Sequence, residues 1–321
     1  MIPFYRPPAV PFDEIIVDFA QILDSKILSN GENCRQLEDE VRKIHKVDYA
    51  FVCSSGTSAM ELLLKNLGVK RVILPSFTWK SIGTITETYN RSWMDIDRET
   101  WLAVPPGEIL KSPAIENCAM IIQHTFGSLH DISDWAYKCG AFIVHDAAYS
   151  MGMQFPVNDG AVISLSPTKI VTGAEGGIIL TNDSQTLDNL MELRDTCSRL
   201  SEFNVVLALY HLQNLKKNLE RRKQIFEHYR KTLPFEYQKI PINTTYGYYG
   251  MLLPSDIENW RFHVEGPVYK IGEVECRVRY TPLKEGLIDT DYVGSHILCL
   301  PCYCDVDEKK VAEIVGMELS K

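Results

Sequence analysis

No apolar stretch in these 321 residues approaches the ~20 consecutive apolar residues that a membrane-crossing helix requires. Basic residues are also in deficit. Lys and Arg total 33 against 42 Asp and Glu, so the formal charge is −9 and the pI near 5.4. A sequence-independent nucleic-acid surface needs clustered Lys and Arg, so that class of partner is not expected. An anionic ligand would have to be held by local positive groups. A disulfide framework is missing too: the nine cysteines are odd in number and scattered, as free thiols in a reducing cytoplasm would be. In MIPFYRPPAVPFDEII, prolines stand where a signal peptide has its apolar core, and Asp13 and Glu14 follow, so no leader is expected there. No GxGxxG follows the first strand pattern, which weakens a nicotinamide-dependent reading. Repeats and low-complexity runs are absent. What remains, 45% hydrophobic and 23% charged, is an ordinary globular composition with length for one large domain and a smaller one.

Along the chain, helix and strand patterns alternate. FDEIIVDFAQIL and CRQLEDEVRKIH have helical apolar spacing with charges on the other face. YAFVC predicts a short buried strand, and TSAMELLLKNLG a helix closed by Gly68. RVILP, WMDID, AMIIQHT and AFIVHDA are further short apolar runs with polar C-terminal ends, and SDWAYKCG between two of them has helical spacing. AVISLS and GGIILTND predict two more strands. The expected class is α/β with a mainly parallel sheet. Beyond Asn182 the pattern changes to SQTLDNLMELRDT and one long helical stretch from Ser201 to about residue 233. Short strands and a last helix, DEKKVAEIVGMEL, complete an expected smaller α+β domain. The predicted division is 1–205 for the large domain and 206–321 for the small one, joined through the long helix.

Ligands of a parallel α/β sheet gather at the C-terminal ends of its strands. Four segments put chemistry there. In CSSGTSAMELLL a strand ends at Cys53 and a helix begins near Thr57, offering free N–H groups to a phosphate; the same residues also fit a capping box of Ser58 with Glu61. In AFIVHDAAYSMG a strand delivers His145 and Asp146, where the carboxylate suits a metal, a base, a protonated ring nitrogen or simply the next turn. In SLSPTKIVTGAEGG a strand ends at Ser164 and Lys169 follows among small residues; a lysine held near apolar strands has a lowered pKa and a nucleophilic amine, whereas a loop lysine is usually solvated. In VILPSFTWKSIG, Phe77 and Trp79 follow the strand end, to stack on a flat ring or to plug the sheet–helix junction. Together they make a phosphate cradle, an aromatic plate, a ring-nitrogen carboxylate and a Schiff-base lysine, the set that pyridoxal 5′-phosphate (PLP) requires.

The same motifs, with PFYRPPAV, LSNGENCRQLEDEV, HTFGSLHDI, RLSEFNVVLALYHL and LCLPCYCDVDEKKVAEIV, carry a resemblance over nearly the whole chain. The chain resembles the DegT-type sugar aminotransferases, which have the aspartate-aminotransferase-like fold type I of PLP enzymes. The resemblance implies a large domain with a mainly parallel mixed sheet and a smaller C-terminal α+β domain. It implies that Lys169 is the Schiff-base lysine, Asp146 the partner of the pyridine nitrogen, and Ser164 a phosphate ligand. Gly56, Thr57 and Ser58 match the phosphate-binding turn, and Trp79 the aromatic over the ring. Relatives with His in place of the lysine dehydrate sugars, so Lys169 implies an aminotransferase. The expected reaction takes an amino group from glutamate or glutamine to a keto-sugar, usually nucleotide-linked, in a cytoplasmic homodimer.

The chain also departs from that pattern. Tyr149 stands where the family usually has Gln near the cofactor's phenolic oxygen. ELRDTCSRLSEF is shorter than the usual segment: Arg199 and Glu202 match its end, with Cys197 in place of Asn. Lys284 replaces a histidine and either adds charge for an anionic substrate or is solvated. His124 is expected at a strand end facing the site, to touch substrate, shield the cofactor or serve structure. Cys299, Cys302 and Cys304 with His296 are spaced unlike zinc knuckles, and no metal is expected. Competing readings are a keto-cyclitol or modified-nucleoside acceptor, and a PLP-binding regulatory protein without turnover.

Overall fold

The computed structural model describes residues 1–105, 107, 117–131, 140–185, 187–256, 263–265 and 268–320. Its main sheet has eight strands: β1 (Tyr49–Cys53), β2 (Arg71–Pro75), β3 (Asn90–Ile96), β4 (Ala103–Val104), β5 (Cys118–Gln123), β6 (Phe142–Asp146), β7 (Gly160–Ser164) and β8 (Gly177–Thr181). They lie in the order β1-β8-β7-β6-β5-β2-β3-β4. Strands β7, β6, β5, β2 and β3 run parallel, while β8 pairs antiparallel with both of its neighbours and β4 antiparallel with β3. The sheet is therefore mixed and mainly parallel.

Alternation along the strands separates two cores, because successive side chains point to opposite faces. Ile163, Ile178 and Leu180 meet Leu37 and Val41 of helix Glu32–His45 and Val205 of helix Glu202–Gln213 on one face. Val162 and Ile179 meet Met60, Leu63 and Leu64 of helix Gly56–Leu67 on the other. Covering both faces explains why the strands read as unbroken apolar runs. Each fully buried Leu or Ile here contributes about 1.5–3 kcal/mol relative to exposure.

The expected single helical stretch from Ser201 to residue 233 is two helices, Glu202–Gln213 and Leu215–Thr232, with a bend at Asn214. Leu215 still packs in the first core, whereas Ile225, Phe226 and Tyr229 pack in another with Tyr249, Leu298 and Val311. A straight helix would have to serve both cores along one line; the bend lets each half follow its own. That last core is built on β9 (Glu236–Tyr237), β10 (Tyr249–Leu252), β11 (His263–Glu265), β12 (Val268–Ile271), β13 (Val274–Cys276) and β14 (Ile297–Leu300), arranged as sheets β14-β10-β9 and β11-β12-β13. The start of the chain returns to it, with Ile2 N–H donating to Glu273 O at 2.7 Å. The helical expectation for 133–139 lies outside the described residues.

Candidate active site

The ends of β1, β6 and β7 and the start of β8 share one edge of the main sheet, since Ser164 and Cys53 both pair with Gly177 and Gln123 pairs with Asp146. A cavity of about 230 Å³ opens there. Of the residues singled out from sequence, Gly56, Thr57, Trp79, Asp146, Tyr149, Ser164 and Lys169 line it.

One end of the cavity is a helix N-terminus. The N-cap of helix Gly56–Leu67 is Ser55, whose Oγ accepts from Ser58 N–H at 3.0 Å while Ser58 Oγ accepts from Ser55 N–H at 3.1 Å. The capping box is thus Ser55 with Ser58. Glu61, expected to complete it, instead pairs with Lys65 at 2.7 Å. Ser58 is spent on the cap and on the hydroxyls of Ser54 and Ser198, and it does not line the cavity. The N–H groups of Gly56 and Thr57 have no intrahelical partner and sit at the positive end of the helix dipole. Glycine is required at two points of close approach. A Cβ on Gly56 would stand 3.0 Å from Ser164 Cβ, and one on Gly177 would meet Gly56 N at 2.5 Å. The turn is thereby pressed against the strand ends, with Ser164 beside the helix start.

The other end holds buried charge. Lys169 is 7% exposed, and its Nζ lies 3.1 Å from the centroid of the Tyr149 ring. Burial pulls the Lys169 pKa below its ordinary value, against the opposing influence of Tyr149 and Asp146. Asp146 is also 7% exposed and accepts from Ala148 N–H at 3.2 Å. Burial raises its pKa, more than that N–H and the Lys169 ammonium lower it. A buried carboxylate so placed is a strong receptor for a cation or N–H donor. Trp79 stands at the rim, 37% exposed, with the Arg279 guanidinium 4.9 Å above its ring. The same guanidinium lies 5.0 Å from the ring centroid of Tyr248.

Three expected substrate residues are not in the cavity. His124 is not among the residues that line it. His145 Nε2–H donates to Asn158 Oδ1 at 2.9 Å, so His145 Nδ1 accepts from His124 Nε2–H at 3.0 Å, and both rings are neutral. Burial lowers His145 to about 4 and His124 well below its ordinary value. The His124 ring packs against Phe155 at 4.7 Å between centroids. Arg199 lies in a separate surface hollow with Glu192 and Asp195, its Nε donating to Asp195 O at 2.6 Å. Lys284 is exposed, and its backbone is fastened at both N–H and C=O to Ser76 Oγ.

Arg279, Tyr280, Thr168, Ser81 and Glu175 also line the cavity. The RVRY stretch holds two of them, but nothing in its spacing says that it lies against a strand end more than a hundred residues earlier.

These features define the class of the PLP-dependent aminotransferases, and solved structures of that class share the architecture. DesI, solved in the presence of its TDP-sugar product, matches with a TM-score of 0.86 and 19% identity, covering 98% of this chain and 92% of its own. The aminotransferase TlmJ from Streptoalloteichus hindustanus matches with a TM-score of 0.86 and 19% identity over 100% of this chain and 99% of its own. The PLP form of a protein assigned as a sugar aminotransferase in Streptococcus pneumoniae gives a TM-score of 0.84 at 17% identity, over 98% of each chain. The model of the DegT/DnrJ/EryC1/StrS aminotransferase family matches residues 12–246, and the chain belongs to that family. The cofactor of the family is pyridoxal 5′-phosphate, and the cavity fits it. A buried lysine, a buried carboxylate and a helix N-terminus cleared by Gly56 are the three receptors that its aldehyde, ring nitrogen and phosphate need.

Proposed function

We propose that this chain moves an amino group from glutamate or glutamine to a keto-sugar carried on a nucleoside diphosphate, in amino-sugar biosynthesis. When bound, PLP supplies an aldehyde carbon and an electron-accepting ring on which the amino group is transferred. In this reading Lys169 Nζ holds the aldehyde carbon and, once freed from it, carries the proton to and from the substrate carbon. Asp146 keeps the proton on the ring nitrogen. The N–H groups of Gly56 and Thr57 with Ser164 Oγ hold the phosphate, and Trp79 covers the ring. Arg279, whose buried Nε has no hydrogen-bond partner among the described residues, receives an anionic group of the donor or of the sugar nucleotide. The observation that carries the reading is the convergence of Lys169, Asp146 and the Ser55-capped helix start in one cavity.

The chain works as a homodimer in this reading. Supporting it, helix Phe12–Ser25 buries only Ile22 fully and leaves Phe12, Ile16, Val17 and Leu23 exposed, followed by exposed Ile27 and Leu28. An apolar run of this kind marks an association surface. In this reading the larger domain is 1–205 and the smaller one 206–321, joined through the helices on either side of Asn214. A cytoplasmic location is part of the same proposal; no helix among the described residues is long and apolar enough to cross a membrane.

The test is the visible absorbance of purified protein with PLP, before and after glutamate or glutamine, in the natural chain and in Lys169→Ala. A band that one donor bleaches, that a nucleotide-linked keto-sugar restores with appearance of the aminated sugar by mass spectrometry, and that Lys169→Ala lacks, is the expected result. A natural chain that takes up no PLP would refute it.

A further inference from the structure

An ammonium must lose its proton before its nitrogen can attack an aldehyde, and in a dry cavity another side chain has to take that proton. The groups around Lys169 come from three parts of the chain. Asp146 ends β6, Tyr149 follows it, Tyr248 precedes β10, and Arg279 and Tyr280 follow β13. The Lys169 Nζ sits over the face of Tyr149 at 3.1 Å from its centroid. The Tyr149 O–H donates to Tyr248 Oη at 3.2 Å and the Tyr149 backbone C=O accepts from Thr245 Oγ1 at 2.5 Å, so the residue is held at its hydroxyl and at its backbone. Tyr149 is 6% exposed. Two cations, buried Lys169 and half-buried Arg279, and one buried carboxylate thus surround its phenol, while Glu175 lines the cavity from an exposed position. Among the buried and half-buried groups, Asp146 alone does not balance Lys169 and Arg279, and a phenolate on Tyr149 does.

We propose that Tyr149 is the proton acceptor that turns Lys169 into a free amine for capture of the cofactor, a role that rests on Lys169 being the cofactor lysine. An N–H bond of the Nζ ammonium breaks with its electron pair left on Nζ, and an O–H bond forms at Tyr149 Oη. Ammonium and phenolate become amine and phenol, with no charge leaving the cavity. With Tyr149 protonated its O–H donates to Tyr248 Oη; with Tyr149 ionised the Tyr248 O–H turns to donate to the phenolate, beside the Arg279 guanidinium. The acid–base shifts agree in direction. Burial raises the Tyr149 phenol, but Lys169 and Arg279 outweigh it and bring the pKa below the ordinary tyrosine value.

The experiment starts on the cofactor-free protein, by ultraviolet titration of tyrosinate in the natural chain, Tyr149→Phe and Lys169→Met. The natural chain is expected to show about one tyrosinate forming below the ordinary tyrosine range of about 10. Tyr149→Phe lacks it, and in Lys169→Met it moves back up. On addition of PLP, the rate at which the visible band grows falls by about a hundredfold in Tyr149→Phe, the usual scale for loss of a general base. An early tyrosinate that persists in Tyr149→Phe, or a capture rate unchanged by that variant, overturns the proposal. Absence of any PLP band in the natural chain refutes the proposed function instead, while the tyrosinate titration still decides the Tyr149–Lys169 pairing.

Discussion

Glu202 offers the sharpest test of how the larger part is held together. Its side chain is 2% exposed, and its carboxylate accepts from Gly31 N–H at 2.7 Å, Asn33 N–H at 2.9 Å, Asn33 Nδ2 at 2.9 Å and Cys34 N–H at 3.2 Å. These backbone donors belong to the start of helix Glu32–His45, whose own N-cap, Gly31, supplies no side-chain acceptor. Glu202 therefore caps a helix some 170 residues earlier in the chain. Each such bond to a charged acceptor contributes about 1.5–3 kcal/mol, and an unpaired buried N–H costs about 1–3 kcal/mol. Because the bonds share one carboxylate and do not add, Glu202→Ala is expected to cost about 4 kcal/mol and Glu202→Gln about 2 kcal/mol. Glu32 lies in the first turn of the same helix but is exposed, and Glu32→Ala is expected to leave stability nearly unchanged. Urea unfolding of the cofactor-free protein, followed by fluorescence and circular dichroism, measures all three. Burial raises the Glu202 pKa, but the bonds from Cys34, Gly31 and Asn33 outweigh it and lower the value overall. Its stabilisation is thus complete above the ordinary glutamate pKa of about 4.3 and disappears as pH falls through the lowered folded value, so the natural chain and Glu202→Ala converge in acid. A cost below about 1 kcal/mol for Glu202→Ala, or equal costs for the Ala and Gln variants, would refute the reasoning.

Three other perturbations have defined outcomes. Gly56→Ala puts a Cβ 3.0 Å from Ser164 Cβ, and its PLP affinity is expected to fall about tenfold, or 1.4 kcal/mol, by absorbance titration with the fold retained by circular dichroism. Ala174 has φ +65°, a conformation that disfavours a side chain, so Ala174→Gly is expected to stabilise by about 0.5–1 kcal/mol in urea unfolding after allowing for the freedom glycine gains when unfolded. His145 is depressed to about 4, so stability is full above pH ~6.5 and falls by about 3 kcal/mol as pH drops through that window. Asn158→Asp sets a carboxylate against His145 Nε2, raises its folded pKa and is expected to flatten that acid slope in pH-dependent urea midpoints.

Strand ends were legible because, in an α/β layer, a short apolar run that stops at a polar residue is most simply a buried strand reaching the edge of its sheet. Asp146, Ser164 and the turn before Gly56 all stand at such stops, and Lys169 lies one turn beyond. Direction at those stops was not legible. His124 follows the last residue of β5 and Asp146 closes the neighbouring β6, yet only Asp146 lines the cavity, because a side chain's face depends on where the strand ends its pleat. Ser58 had the composition of a ligand, but its position three residues after Ser55 made it the other half of the cap. The bend at Asn214 left no mark in the apolar pattern, since both halves of the stretch keep helical spacing.

The sequence by itself determined the elements and the chemistry: the buried strands, the helix start that faces them, and the lysine and aspartate at their ends. These are local consequences of side-chain periodicity, capping and residue type. Only the tertiary structure decided the company those residues keep. Tyr248 reaches Tyr149, and Arg279 reaches Tyr248, from segments far along the chain, and Glu202 reaches back to cap the second helix. Such pairings depend on how elements pack across long stretches of chain, where burial changes the charge states of the groups it brings together.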